Sequence, residues 1–129
     1  MPSGREWDDR LAQSTVEFFI ATIDRHDKVA SVRQESQNVF VVTRFGSLPE
    51  VRAWVCDVYT VGLADYLKIT QADPEVDCIV TMSGYNSWTR EAKEQGYDDD
   101  VGVFKFGELM GALNYEGDDF VRYKPRERG

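Results

Sequence analysis

The chain has 129 residues, enough for one domain with one substantial core. Its hydrophobic fraction of 42% is typical of a globular protein, and no apolar run approaches the roughly 20 residues of a membrane span. The net charge of −8 argues against strong sequence-independent binding of nucleic acid, because such a surface repels phosphate backbones unless a basic patch offsets it.

The N-terminal residues and the cysteines indicate a cytoplasmic location. The first nine residues are polar and acidic, so we expect no signal peptide. Cys56 and Cys78 lie in apolar, strand-like runs and are predicted to be reduced core thiols. Their spacing matches no zinc pattern, and the single His26 adds no ligand cluster, so no structural zinc is expected.

The first half of the chain predicts a helix followed by an antiparallel meander. Ser3 and Glu6 fit a capping box before a helix from Trp7 to Asp24. Helical spacing predicts one buried stripe on that helix, made of Ala12, Val16, Phe19, Ile20 and Ile23. Runs rich in β-branched and aromatic residues predict three strands, at Val29–Arg33, Asn38–Phe45 and Glu50–Thr60.

The second half predicts two further strands alternating with helices. A helix from Gly62 to Thr70 is expected to bury Leu63, Leu67 and Tyr66. The elements that follow are a strand at Val76–Met82, a helix at Ser87–Gln95 ended by Gly96, a strand at Val101–Phe106 and a short helix at Gly107–Leu113.

These elements predict an α/β fold with a mixed sheet in the order αβββαβαβα. The last two strands should be adjacent and parallel, because a helix with short loops joins them. Residues 1–114 are predicted to form this single domain, and residues 115–129 a polar C-terminal tail that is mobile from Lys124 onward.

Several short motifs carry a resemblance to a known family. Val80–Tyr85, with Thr89–Lys93 behind it, resembles the strand ending in Val-Thr-x-Ser and the Thr-x-Glu-Ala helix of the Mrr-type restriction endonuclease domain, in the PD-(D/E)xK superfamily. Val101–Phe104 and Glu108-Leu109 look like the strand and the short helix that follow. Val55–Tyr59 is similar, more distantly, to the family's Gln-x-Lys-x-Tyr strand, so the resemblance implies a restriction-endonuclease-like fold over roughly residues 6–114.

The resemblance also implies where the family's chemistry should lie. That family holds Mg²⁺ with an Asp on the second strand and a Glu or Gln on the third, and a Lys two residues later acts on the phosphate or water. Here Phe40 stands in the Asp position, Val55 in the Glu or Gln position and Asp57 in the Lys position. We therefore expect a degenerate, non-catalytic member without a cofactor, acting as a binding or regulatory module.

The sequence leaves two alternatives open. A divergent nuclease would have rebuilt its site from Glu17, Asp57 and Lys68, with Asp57 as the ligand of Mg²⁺. A plain interaction protein, such as a homodimer, would have no role with nucleic acid. In each non-catalytic case the expected partner is a protein or a second copy, with weak nucleic-acid binding at most and no membrane. A polar and aromatic loop at Tyr85, Asn86 and Trp88 follows a strand; its rings are expected to cap the core, although such loops also bind ligands.

Overall fold

The computed structural model describes residues 10–125 of the chain. That part contains five helices and seven strands in a mixed α/β arrangement. The helices are α1 (Gln13–Asp24), α2 (Leu63–Ala72), α3 (Arg90–Asp99), α4 (Phe106–Ala112) and α5 (Asp118–Val121). The strands are β1 (Val29–Gln34), β2 (Val39–Arg44), β3 (Val51–Cys56), β4 (Thr60–Val61), β5 (Cys78–Thr81), β6 (Ser87–Trp88) and β7 (Gly102–Lys105).

Five strands form one mixed sheet in the order β1-β2-β3-β5-β7, and β4 and β6 form a separate parallel pair. The predicted antiparallel meander is confirmed, since β2 pairs antiparallel with both β1 and β3. The predicted parallel neighbours are also confirmed: Cys78 of β5 lies beside Gly102 of β7 in a parallel register. Because β3, β5 and β7 all run in the same direction, their carboxyl ends meet at one edge of the sheet.

Each face of the sheet carries its own core. One face packs against α1, α4 and α5 and includes Phe19, Phe40 and Leu109, all fully buried. The other face packs against α2 and α3 and includes Tyr66 and Ile79. The two predicted core thiols are confirmed as buried and not disulfide-bonded, Cys78 in the first core and Cys56 in the second.

The buried face of α2 differs from the prediction. Tyr66 and Ile69 are buried, whereas Leu63 and Leu67 are exposed, so the prediction for the two leucines is wrong. The Tyr66 hydroxyl donates a 2.8 Å hydrogen bond to Asp99 at the end of α3, which lets a tyrosine occupy the core without an unsatisfied polar group.

The bounds of α3 also differ from the prediction. Ser87 and Trp88 form β6, and the helix begins after Thr89, whose side chain accepts a hydrogen bond from the Ala92 amide. Gly96 does not end the helix, which continues to Asp99; Asp100 takes the left-handed conformation at φ 61°. Gly96 is needed for another reason, because a Cβ there would lie 2.3 Å from the Val101 carbonyl oxygen.

The first and last described segments also differ from the prediction. The predicted capping box and the residues up to 9 lie outside the described residues, and α1 begins at Gln13 instead of near Trp7. Beyond residue 114, α5 places Phe120 and Val121 in the first core, so this part of the predicted tail packs against the domain. Across residues 10–125, no helix has the length and apolar character needed to cross a membrane.

Candidate functional site at the carboxyl ends of the parallel strands

A crevice lies where β3, β5 and β7 end, at the position where open α/β sheets usually bind ligands. It consists of two adjoining depressions of about 250 and 380 Å³ that share Met82 and Ser83. The first depression is lined by Ser14, Thr15, Phe18, Asp57, Met82 and Ser83. The second extends to Lys105, Phe106 and Glu108 at the start of α4. We call the two together the carboxyl-end crevice.

A hydrogen-bond network holds Asp57 in this crevice. Its Oδ1 accepts from the Asn86 side-chain amide at 2.7 Å and from the Ser83 backbone amide at 3.2 Å. Asn86 is only 4% exposed and also donates to the Thr81 hydroxyl at 3.0 Å, which in turn donates to the Val58 carbonyl at 2.6 Å. Both described contacts use Oδ1, so Oδ2 accepts no hydrogen bond from residues 10–125.

The other two positions implied by the family resemblance are apolar and inaccessible. Phe40 and Val55 are fully buried in the first core, and the Phe40 ring lies 4.8 Å from that of Phe19. Neither side chain can donate an oxygen to a cation, and Mg²⁺ binds through carboxylates and other oxygen ligands. These residues therefore do not fit the family's Mg²⁺ site.

The structure does not bring Glu17, Asp57 and Lys68 together in the crevice. Glu17 is exposed on α1 and accepts a 3.3 Å hydrogen bond from Gln13, while Lys68 is exposed on α2, across the sheet. Of the three, only Asp57 lines the crevice. Within residues 10–125, no group of three His, Cys, Asp or Glu side chains is placed to share a metal ion.

Three exposed aromatic side chains, which we call the aromatic rim, belong to the crevice or to the loops that leave it: Phe18 lines the first depression, and Tyr59 and Tyr85 each lie two residues after a lining residue, Asp57 and Ser83. The exposed fractions of Phe18, Tyr59 and Tyr85 are 56%, 71% and 87%. The Ser87 amide donates to the Tyr59 carbonyl at 2.8 Å, which ties the Tyr59 loop to the Tyr85 loop. The expectation that the rings of this second loop cap the core is wrong for Tyr85; Trp88 is partly buried and packs against the second core.

Comparisons of the chain with family models, with curated proteins and with solved structures gave no match.

A separate depression of about 390 Å³, outside the crevice, lies at the opposite edge of the sheet. Its lining includes the Arg44 side chain and five carboxylates, those of Glu50, Asp77, Asp100, Glu116 and Asp118. Arg44 is buried and donates to the carbonyl oxygens of Pro49, Leu113 and Tyr115 at 2.7 to 2.9 Å. The Arg44 donors already bind backbone carbonyl oxygens, and the surrounding side chains are negatively charged. This guanidinium therefore does not form a binding site for an anion.

Sequence reasoning missed a buried lysine near the crevice. Lys93 of α3 donates to the Val103 carbonyl, and its ammonium lies 4.7 Å from the ring centroids of both Trp88 and Phe104. Burial lowers the pKa of Lys93 to about 8, although the negative charge of Glu108 opposes the change. Glu108 also accepts from the Trp88 indole at 2.9 Å. No pattern in the sequence indicates this lysine, since its ring partners are five and eleven residues away on other elements.

We expect Lys93 to make folding stability depend on pH between 8 and 10. Its pKa is about 8 in the folded protein and roughly 10.4 when unfolded, so in this range the unfolded chain binds more protons and stability rises with pH. Relative to a Lys93→Met variant, the wild type should gain about 2 kcal/mol between pH 7.5 and 10. Urea denaturation of both proteins across this range measures the difference.

The comparison with Lys93→Met removes the contributions of other groups. Burial raises the pKa of the Cys78 thiol and of the Tyr66 hydroxyl, and both groups lower stability as pH rises. Both groups are present in both proteins, so the contribution of Tyr66 cancels in the difference, and that of Cys78 differs only through its charge interaction with Lys93. A difference that stays constant over the range would show that water solvates the Lys93 ammonium in the folded state.

Proposed function

We propose that this protein is a non-catalytic binding module with a restriction-endonuclease-like fold, and that its carboxyl-end crevice binds a protein partner. The observation that carries the proposal is the replacement of metal-binding chemistry by core packing: Phe40 and Val55 are fully buried and apolar. Beside them, the crevice keeps an ordered carboxylate, Asp57, and the aromatic rim. Such a surface has the composition of a binding site without the ligand set of a nuclease.

The order of the main elements supports the fold part of the proposal. One helix, a three-stranded antiparallel meander and two further parallel strands with intervening helices follow each other as the sequence resemblance implies. The two-residue strands β4 and β6 are additions to that order. Fold resemblance carries no function by itself, so the functional part depends on the crevice.

Charge and exposed rings favour a protein as the partner. The net charge of −8 and a carboxylate in the crevice both repel phosphate backbones. Exposed tyrosine and phenylalanine side chains around a partly polar depression are typical of protein-binding surfaces, because large rings bury much area at low entropic cost. The partner would act in nucleic-acid processing if the resemblance extends to biological context.

We expect the purified protein not to cleave plasmid DNA, single-stranded DNA or RNA with Mg²⁺ or Mn²⁺. A metal-dependent nuclease needs carboxylates that fix the ion beside the phosphate, and Phe40 and Val55 supply none. Gel assays with each metal, alongside an Asp57→Ala variant and EDTA, test this. Cleavage that the variant and EDTA both abolish would contradict the proposal and favour the alternative nuclease with Asp57 as its ligand.

Site-specific cross-linking tests the proposed surface directly. A photo-reactive residue at Tyr85 should capture a discrete partner in an extract of the native host, whereas the same residue at Phe45 should not. Phe45 is a matched control: it is 59% exposed and lies at the opposite edge of the sheet, because β2 and β3 are antiparallel. Equal capture at both positions would contradict binding through the crevice.

A further inference from the structure

We propose that the first depression of the crevice binds an arginine side chain of the partner. This inference depends on the proposed function, since it names the chemistry by which the same crevice recognises a protein. Its basis is a carboxylate held by a buried amide, an exposed ring and three hydroxyl side chains around one depression of about 250 Å³.

One oxygen of the Asp57 carboxylate has hydrogen-bond partners, and these partners fix the position of the group. Oδ1 is occupied by Asn86 and the Ser83 amide, so the carboxylate cannot rotate freely into solvent. Asn86 is almost fully buried, and burial of a side-chain amide is unfavourable unless its hydrogen bonds are made. The buried Asn86 side chain therefore orients the exposed Asp57 carboxylate, and Oδ2 of that carboxylate can accept a hydrogen bond from a ligand.

The remaining lining matches a planar cation. Phe18 lies in the same depression as Asp57 and is 56% exposed, so its ring can stack on a guanidinium. Ser14, Thr15 and Ser83 contribute hydroxyl side chains that can accept further hydrogen bonds. A guanidinium has five N–H donors in a fixed plane, whereas a lysine ammonium has three donors and a stronger hydration shell. The carboxylate, ring and hydroxyl groups of the first depression therefore favour arginine over lysine.

Charge also favours a cation over an anion. Asp57 is the one charged side chain that lines the first depression within residues 10–125. The second depression contains Lys105 and Glu108, one charge of each sign, which leaves the crevice as a whole negative. The net charge of the chain has the same sign and would attract a basic segment from a distance.

A titration of the full chain with Nα-acetyl-arginine amide tests the proposal. The changes in backbone amide chemical shifts are measured by NMR at each concentration. We expect saturable shifts at Phe18, Asp57 and Ser83, weaker shifts with Nα-acetyl-lysine amide, and none with the neutral isostere Nα-acetyl-citrulline amide. Equal shifts with the citrulline compound, or shifts confined to Asp100, Glu116 and Asp118 at the opposite edge, would overturn it.

Two matched variants separate charge from structure. Asp57→Asn keeps an oxygen that can accept from Asn86 but removes the charge, and should weaken arginine binding about tenfold or more. Glu17→Gln removes an exposed carboxylate of α1 outside the crevice and should leave the affinity unchanged. Equal affinities of Asp57→Asn and the wild type, with unchanged thermal midpoints, would overturn the proposal.

The outcomes distinguish this inference from the proposed function. If Tyr85 cross-links a partner and Asp57→Asn captures it equally well, the crevice binds a protein but not through arginine. If arginine binds at Asp57 and no partner cross-links at Tyr85, the depression recognises the side chain while the broader surface has no such role.

Discussion

The Phe40→Asp variant is expected to lose more than about 5 kcal/mol of folding stability and to be unfolded at room temperature. Phe40 is fully buried between β2 and α1, with its ring 4.8 Å from that of Phe19. Removing a buried phenylalanine ring costs about 3–5 kcal/mol, and burying an unpaired carboxylate adds several more. Typical domains are stable by only about 5–15 kcal/mol, so the combined loss is as large as the whole stability of many domains. Circular dichroism with urea denaturation measures the loss.

Phe40→Leu is the matched control, because it keeps an apolar side chain and should cost about 1–1.5 kcal/mol. A Phe40→Asp variant with a denaturation midpoint close to the wild type would show that water reaches this position. A cation could then be held there, and the buried ring would no longer exclude metal binding. The expected result instead means that an aspartate at position 40 requires repacking of the core between the sheet and α1.

Gly96→Ala is expected to destabilise the protein by about 2–3 kcal/mol. The added methyl group would lie 2.3 Å from the Val101 carbonyl oxygen and 3.2 Å from Val103 Cγ2. The loop cannot easily move away, because the Val101 amide donates to the Gly96 carbonyl at 2.7 Å and Asp100 is already in the left-handed conformation. Chemical denaturation of the variant measures the effect.

Gly107→Ala is the control for this prediction. Gly107 is also in a helix, α4, and a Cβ there would meet no atom within 4 Å. Alanine should therefore stabilise the protein by about 0.5–1 kcal/mol, through the lower entropy of its unfolded chain. If Gly96→Ala were instead as stable as Gly107→Ala, α3 and β7 would have to be able to separate without cost.

Local sequence patterns predicted the sheet well because strands and turns depend on nearby residues. Alternating β-branched residues and the short connections gave the meander and the parallel pair β5 and β7. The helix faces were harder. On α2, the prediction of a buried Tyr66 is confirmed, and Asp99, 33 residues away, satisfies its hydroxyl. The other buried residue of that helix is Ile69, whereas hydrophobicity had favoured Leu63 and Leu67.

The candidate site was only partly predictable, because its contacts join residues that are far apart in the sequence. Asp57 could be found because the sequence resemblance singles out its position, but its partner Asn86 is 29 residues away and meets it only after β3 and β5 pair. Lys93 illustrates the same limit, since its cation lies between rings of β6 and β7 that no spacing in the sequence connects. Gly96 was read as a helix end because glycine usually has that role, whereas here a close approach of two backbones requires it.

The three carbonyl acceptors of Arg44 have a consequence for synthesis on the ribosome. Two of them, on Leu113 and Tyr115, come 69 and 71 residues after Arg44 in the chain. At a translation rate of about 5–20 residues per second, roughly 4 to 14 seconds pass before these acceptors have been made. During that interval the nascent β1–β3 meander holds a guanidinium that cannot yet be buried and an apolar face without α4 or α5. The first half of the chain therefore cannot complete its packing until the last part has been synthesised. A chaperone that binds nascent chains would contact it as a sheet with one uncovered apolar face.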